Sequence, residues 1–318
     1  MLIEPNTNCP RIEFEDSFVE ETVFLAARYK DEADGALTQN FHNDREKIYG
    51  STSSPLGQSL TEEDRNVSFQ RLYREYFQKL GIKDMFERIV KDFPLLNQPG
   101  ISLFVKKVWS KREEDTELYV DGHLKTICIA LMANRILQPF CIQAILRHEL
   151  LRISDMLDPH FQYVPHINLE GKNELENNLI RDRFRILWDV YIDIRLRKKG
   201  YSVMKSDEDQ KKEFCKAFFF LKSSEQEYVY SKLEGCEDLM QIDLLGWAQD
   251  ARSIKTLGEG GLRCPLCDFT SYESIKNWPS EMRVVIDEIK KDHPQWTTES
   301  GICPQCFDLY NCRTKVKV

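Results

Sequence analysis

Three regimes of hydrophobic and polar spacing follow one another along the chain. Up to about residue 92, apolar residues recur every three or four positions, the spacing of helices that bury one face. A Ser17-Phe-Val-Glu20 box predicts a helix to about Lys30. Thr61 opens a second helix, TEEDRNVSFQRLYREYFQKLG, which Gly81 closes. Its Phe69, Tyr73 and Phe77 stand four residues apart and are expected in the core. A short helix over Lys83 to Asp92 follows. Residues 31–58 are polar and end in GSTSSPLGQS, which reads as a linker or mobile loop. From Ile101 the period shortens. ISLFVKKVW and ELYV-DG-HLKTICIAL read as strands, with Asp121-Gly122 as a two-residue hairpin turn. The apolar run Thr126 to Leu131 reads as a strand covered on both faces.

Helical spacing returns at Leu137. LQPFCIQAILRHELLRISDMLDP reads as one helix, begun by Pro139 and stopped by Asp158-Pro159. At about 100° per residue, Ile142, Leu146, Leu150, Ile153 and Leu157 share one side. Cys141, Ala144, His148, Arg152 and Asp155 share the other, with Glu149 at its flank. The pattern predicts an apolar back packed on the sheet of residues 101–131 and a narrow polar stripe turned toward a cleft. A polar loop with His160 and His166 leads to a helix from about Asn178 to Lys199, closed by Gly200. Ile180, Phe184, Leu187, Tyr191 and Ile194 form its apolar stripe; Asp182, Asp189 and Asp193 lie on another face. Residues 206–252 read as three helices, Ser206–Leu221, Ser224–Leu233 and Cys236–Arg252, the first opened by a Ser206-x-x-Asp209 box.

Composition narrows the picture. The chain has 318 residues with 42% hydrophobic content, enough for a sizeable core. No apolar run approaches the roughly 18 residues of a membrane span. The start, MLIEPNTNCPRIEFED, lacks the basic head and apolar middle of a signal peptide, so a cytoplasmic location is expected. Net charge is −8, which disfavours broad binding of phosphate backbones and makes nucleic acid the weakest class of partner.

Ten cysteines call for a chemical reason. Cys128, Cys141, Cys215 and Cys236 are scattered in apolar stretches and read as small buried hydrophobes. Cys264-Pro-Leu-Cys267 and Cys303-Pro-Gln-Cys306 are matched Cys-x-x-Cys pairs. In a reducing compartment such pairs point to metal rather than disulfides. Two thiolates from each tight turn would grip one tetrahedral zinc ion, and four thiolates leave no position for water, so this zinc is structural. The 35 residues between the pairs exceed the spacing of a simple ribbon and hold a helix, Glu281 to Lys291, capped by Ser280. An elaborated zinc ribbon or treble-clef-like module is expected. Cys312 lies nearby and is left out of the ligand set.

The sequence His148-Glu149-Leu150-Leu151-Arg152, on an apolar-backed helix after a run of strands, resembles the His-Glu-x-x-His helix of zincin metallopeptidases. In those, two histidines one turn apart bind zinc, the glutamate is the base toward metal-bound water, and the sheet edge holds the substrate peptide. Asp189-x-x-x-Asp193, 41 residues beyond His148, resembles the gluzincin Glu-x-x-x-Asp helix. The resemblance covers about residues 100–200. It implies His148 and Asp189 as ligands of a second, catalytic zinc, Glu149 as catalytic base, and Asp193 as outer-shell support. The chain departs from the pattern at Arg152. A guanidinium cannot ligate a metal, and its charge repels one. Arg152 is also spaced to pair with Asp155. His160 or His166 is the candidate replacement ligand. The expected fold is α+β: residues 1–60 as a helical or flexible segment, 61–205 as a zincin-like domain, 206–258 as a helical bundle, and 259–318 as the four-cysteine zinc module. Three functional readings stay open. They are a degenerate zincin-like protein with one structural zinc, an active zinc peptidase with an unusual ligand set, and a non-enzymatic scaffold that binds a peptide or protein.

Overall fold

A computed structural model of the chain describes residues 10–29, 35–50, 61–165, 167, 169, 173–251, 262–271, 274–279 and 282–316. The fold is α+β with a cysteine cluster near the C-terminus. The chain divides into two compact units, residues 1–158 with 196–204 and residues 159–195 with 205–318. No helix among the described residues is long and apolar enough to cross a membrane.

The first unit is built on a four-stranded mixed sheet. Its strands are β1 (Arg11–Phe14), β2 (Ile101–Lys107), β3 (Asp115–Asp121) and β4 (Leu124–Leu131), in the order β1-β2-β4-β3. β1, β2 and β4 run parallel, and β3 is an antiparallel edge. The register sets Leu103 beside Ile127 and Val105 beside Ile129, and all four are buried. Period-2 alternation therefore delivers one continuous apolar face. At the end of β4, Ile129, Ala130 and Leu131 are buried in succession, so this end is covered on both faces as the apolar run predicts; Thr126 and Cys128 are only half-buried. The β3–β4 turn lies one residue beyond the expected Asp121-Gly122: Asp121 pairs with Leu124, so Gly122 and His123 are its central residues. Gly122 has φ +58° at its first central position, as a type II′ turn requires.

Among the described residues, four α-helices precede β2: α1 (Asp16–Tyr29), α2 (Gly35–Gly50), α3 (Glu62–Lys79) and α4 (Ile82–Lys91). Phe14 from β1 meets Phe77 of α3 and Phe86 of α4 at centroid separations of 4.8 and 5.2 Å. Thr61 caps α3 in a reciprocal box with Asp64. Gly81 closes α3 as expected, in the left-handed region (φ +66°) just past the C-cap Leu80, and also stands at the N-cap of α4. Ser17 lies inside α1, which already begins at Asp16. Of the aromatic series on α3, Phe77 is buried while Phe69 and Tyr73 are half-buried. Residues 35–50 form helix α2 rather than a linker. Phe41, 1% exposed, anchors α2 with its ring 5.2 Å from that of Tyr76, whose hydroxyl donates to Asp44 at 2.8 Å. The remainder of the expected linker, 51–58, lies outside the described residues.

Helix α5 (Pro139–Leu157) follows β4 through a 3-10 turn at Ala133–Leu137. Arg135 in that turn grips Glu114 with two parallel bonds, 2.9 and 2.5 Å, both side chains largely covered. A bidentate pair of this kind fixes direction as well as distance. Arg147 reaches Asp92 at 3.2 Å beyond the end of α4. Ile142, Leu146, Leu150 and Ile153 are buried as their spacing predicts, and Leu157 is half-buried. The other side is more enclosed than a stripe open to a cleft: Ala144, Leu151 and Asp155 are buried as well.

The second unit contains most of α6 (Glu174–Lys198), then α7 (Asp207–Ala217), α8 (Ser223–Gly235) and α9 (Gln241–Gln249). Ser206 caps α7 as expected, accepting from the Asp209 amide at 3.1 Å. Leu187, Trp188, Tyr191 and Ile194 bury the inner face of α6. The Tyr191 hydroxyl donates to the Glu237 carbonyl and accepts from the Leu239 amide, tying the α8–α9 connection to α6. A small module of β5 (Leu262–Arg263), β6 (Thr270–Ser271), α10 (Arg283–Asp292) and α11 (Pro304–Val316) completes the unit.

Candidate metal centre

The two cysteine pairs are presented by different local structures that reach the same point. β5 and β6 pair antiparallel, with Cys264-Pro265-Leu266-Cys267 in their connection. The Cys264 amide donates to the Phe269 carbonyl at 2.9 Å, and the Asp268 amide to the Cys264 carbonyl at 2.8 Å. Asp268 takes φ +61°, a left-handed conformation that aspartate adopts more readily than most residues. The turn closes so tightly that both sulfurs face one way. The second pair straddles the start of α11: Pro304 occupies the first helical position, which suits its fixed φ, and Cys306 lies in the first turn. The positive end of the helix favours thiolate there.

Backbone amides complete the sulfur environment. Cys303 donates its N–H to Cys264 Sγ and Cys306 donates to Cys303 Sγ, each at 3.4 Å. The four sulfurs lie within 4.8 Å of one another, with Cys264–Cys306 at 3.9 Å and Cys267–Cys303 at 3.8 Å. A disulfide needs about 2.05 Å. The edge of a tetrahedron with metal–sulfur bonds near 2.3 Å is about 3.8 Å. The spacing fits four thiolates around a structural metal ion such as zinc.

The charge state of the cluster agrees with that donor set. Hydrogen bonds with the Cys303 and Cys306 thiols hold Cys264 far below the ordinary thiol range. The bond to Cys264, together with burial, pushes Cys306 upward. Burial raises Cys267 to about 11. A divalent metal makes four thiolates compatible in the same space.

A core of its own surrounds the cluster. Val285 and Ile289 from α10, Trp296, Ile302 and Tyr310 are buried with Cys264, Cys303 and Cys306. Helix α10 begins at Arg283, where Glu281 was the expected start; the expected cap Ser280 and Glu281 lie outside the described residues. Three supporting features carry little signal in the sequence. Arg263, next to Cys264, contacts the buried Glu176 of α6 at 3.3 Å. Ile302 bridges Ile275 through two backbone bonds of 2.8 and 3.2 Å. Gly301 takes φ +65° and ψ 178°, a region essentially restricted to glycine, and its carbonyl accepts from Trp296 Nε1 at 3.1 Å. Cys312 is exposed and outside the cluster; Cys128, Cys141, Cys215 and Cys236 are half-buried rather than fully enclosed.

The other candidate residues fall in both units. His148, Glu149, Arg152 and Asp155 stand on α5 in the first; Asp189 and Asp193 stand on α6 in the second. On α5 the Arg152 guanidinium lies 3.0 Å from His148 Nε2 and 2.9 Å from a Glu149 carboxylate oxygen. Arginine only donates, so His148 Nε2 is the accepting atom of this contact. The lone pair a metal would use and the carboxylate a base would use thus both face the guanidinium. Asp155 is buried at 4% exposure. On α6, Asp189 is half-buried; Asp193 is buried and accepts from Gln210 Nε2 at 2.8 Å. His160 is exposed, and His166 lies outside the described residues.

Compared with protein-family models, curated proteins and solved structures, the chain matches none of them. The cysteine cluster is therefore the part of the site that geometry alone supports.

Proposed function

We propose that the chain is a zincin-related binding or scaffold protein. Its C-terminal cysteines hold one structural Zn²⁺ in a treble-clef-like module, and the motif on α5 is closed by its own arginine rather than armed by a second zinc. The observation that carries this reading is the Arg152 guanidinium, bonded to both His148 and Glu149. A permanent cation at the second-histidine position repels Zn²⁺ and engages the group that would activate water. The cysteine cluster supplies the zinc reading independently, through sulfur spacing that suits a closed tetrahedral site. The partner on this view is a peptide or protein, in keeping with the acidic balance of the chain.

Elemental analysis with a peptidase assay tests both halves. The wild type should carry about one zinc per chain, lost in a Cys264→Ser, Cys303→Ser double variant. It should show no peptide cleavage that disappears in Glu149→Gln. A second zinc that His148→Ala removes, or Glu149-dependent cleavage, replaces this reading with that of an active zinc peptidase using His148, Glu149 and Asp189.

A further inference from the structure

The four sulfurs of the cysteine cluster are alike in kind but not in access. Cys264, Cys303 and Cys306 are 3%, 5% and 7% exposed, whereas Cys267 is only half-buried. We infer, building on the zinc site proposed above, that Cys267 is an oxidative modification site. A hydroperoxide oxidises it, Cys303 closes a disulfide with it, and the zinc is released.

Access singles out Cys267. Attack on a peroxide needs a thiolate that solvent can reach. All four cysteines are thiolates when they hold zinc, so exposure is what separates them. Cys264, Cys303 and Cys306 belong to the buried core of the module, with Val285, Ile289 and Ile302. Cys267 packs against that core without being enclosed by it. It stands at the far end of its turn, next to Asp268 with φ +61°, where the chain doubles back toward β6.

Distance selects the partner. Cys303 Sγ lies 3.8 Å from Cys267 Sγ, so a bond of about 2.05 Å requires the two to approach by about 1.8 Å. Cys264 Sγ is engaged elsewhere: it accepts the Cys303 amide at 3.4 Å and contacts Cys306 Sγ at 3.9 Å. In the first step the Cys267 sulfur takes an oxygen from hydrogen peroxide. An S–O bond forms, the O–O bond breaks, and hydroxide leaves. The Cys303 thiolate then attacks the Cys267 sulfenic acid. The S–S bond forms, the S–O bond breaks, and a second hydroxide leaves. Two thiolates lose two electrons, and peroxide with two protons from solvent becomes two waters. Cys264 and Cys306 then remain as a two-thiolate remnant, too few donors for a closed zinc site. The new bond joins the β5–β6 turn to the start of α11, the same two parts that the metal holds together.

Peroxide treatment of the full-length, zinc-loaded chain tests the inference. A zinc-binding dye reads released metal, and mass spectrometry of the thiol-blocked digest maps the disulfide. Release of about one zinc per chain is expected, together with a Cys267–Cys303 disulfide, and dithiothreitol with added zinc should restore the metal. Cys267→His supplies a nitrogen donor in place of the thiolate and keeps four ligands. It should lose the peroxide-dependent release. Cys306→His retains both reacting thiols and should still release zinc and form the disulfide, so the test stands if Cys267→His fails to load. Cys312 is exposed and outside the cluster, and Cys312→Ser should release zinc as the wild type does. Zinc content before oxidant distinguishes two failures. A chain without zinc overturns the metal reading and this inference with it; a loaded chain that keeps its zinc under peroxide overturns this inference alone. A disulfide within either Cys-x-x-Cys pair, or release from Cys267→His at the wild-type rate, also overturns it.

Discussion

Arg152 holds its guanidinium 3.0 Å from Nε2 of His148, one helical turn away on α5. Positions 148 and 152 are about 40° apart around the helix, the separation that lets two imidazoles share a metal. The geometry for a two-histidine grip is present, and the chemistry of one partner opposes it. The same guanidinium bonds Glu149 at 2.9 Å, with both side chains 20% exposed.

Replacing Arg152 should therefore alter metal content more than stability. In Arg152→His, zinc is expected to rise by up to one ion per chain, and His148→Ala in that background should abolish the gain. A double-mutant cycle on Arg152→Ala and Glu149→Ala should return a coupling of about 0.5–1 kcal/mol, the scale of a partly solvated ion pair. Unchanged zinc content in Arg152→His would mean that more than this arginine keeps metal from His148.

Leu146 tests how α5 is seated. It is fully buried on the apolar side of the helix, with Ile142, Leu150 and Ile153. Leu146→Ala removes buried methyl groups and leaves a cavity, so unfolding stability should fall by about 2–5 kcal/mol. Chemical denaturation measures it, and a loss well below 1 kcal/mol would place Leu146 outside a packed core.

The parts of this fold written in local pattern could be read from residues alone. The Thr61 cap, the hairpin at Gly122, the buried positions Leu146 and Leu150, and the paired cysteines each depend on neighbours within a few positions. What escaped depends on partners distant in sequence. β1 is only four residues long and is a strand because Ile12 and Phe14 pair with Leu103 and Val105, about ninety positions away. Helix α2 has a polar sequence in which buried Phe41 anchors it against α3. Sequence spacing put Arg152 within reach of Asp155, but its contacts with His148 and Glu149 depend on a rotamer that no spacing rule selects. In the metal module, Gly301 and Arg263 give no pattern of their own and matter through Trp296, Ile275 and Glu176.

Two tyrosines should titrate late. Tyr310 is pushed up to about 12 by burial and by its 2.9 Å bond to the Asp292 carboxylate; Tyr76 reaches about 12 by burial and by its bond to Asp44. A tyrosine whose folded pKa is raised stabilises the fold fully below its unfolded value near 10. That contribution is lost as pH rises from about 10 through 12. Asp292 responds in the opposite range. The Tyr310 hydroxyl and Arg313 lower its pKa, so its contribution is present above the ordinary carboxylate value and lost in acid. Absorbance titration of phenolate formation should show that Tyr310→Phe and Tyr76→Phe each remove one late-ionising group. If neither substitution changes the alkaline limb, these two side chains are more open to solvent than their packing implies.

Gly301 gives the sharpest test of how the metal module is held. Its φ of +65° with ψ of 178° lies in a region that side chains avoid, at a strain of about 1–3 kcal/mol. An added Cβ would also stand 2.2 Å from Ser274 Oγ, 2.9 Å from Lys276 Cγ and 3.2 Å from the Ile275 carbonyl. The serine and lysine side chains can swing aside, whereas the carbonyl belongs to the Ile275–Ile302 bridge. Gly301→Ala should therefore loosen the bridged segment that delivers Cys303, two residues on. If the strain is released when metal leaves, zinc affinity should fall by about 5- to 150-fold, the range that this energy spans. Chelator competition measures that affinity directly. Gly100→Ala supplies the comparison in the other unit, where φ is +85° and the new Cβ would meet the His123 carbonyl at 2.8 Å. It should lower stability while leaving zinc affinity unchanged. Equal zinc affinity in Gly301→Ala and wild type would mean that the Cys303 pair is positioned by α11 alone.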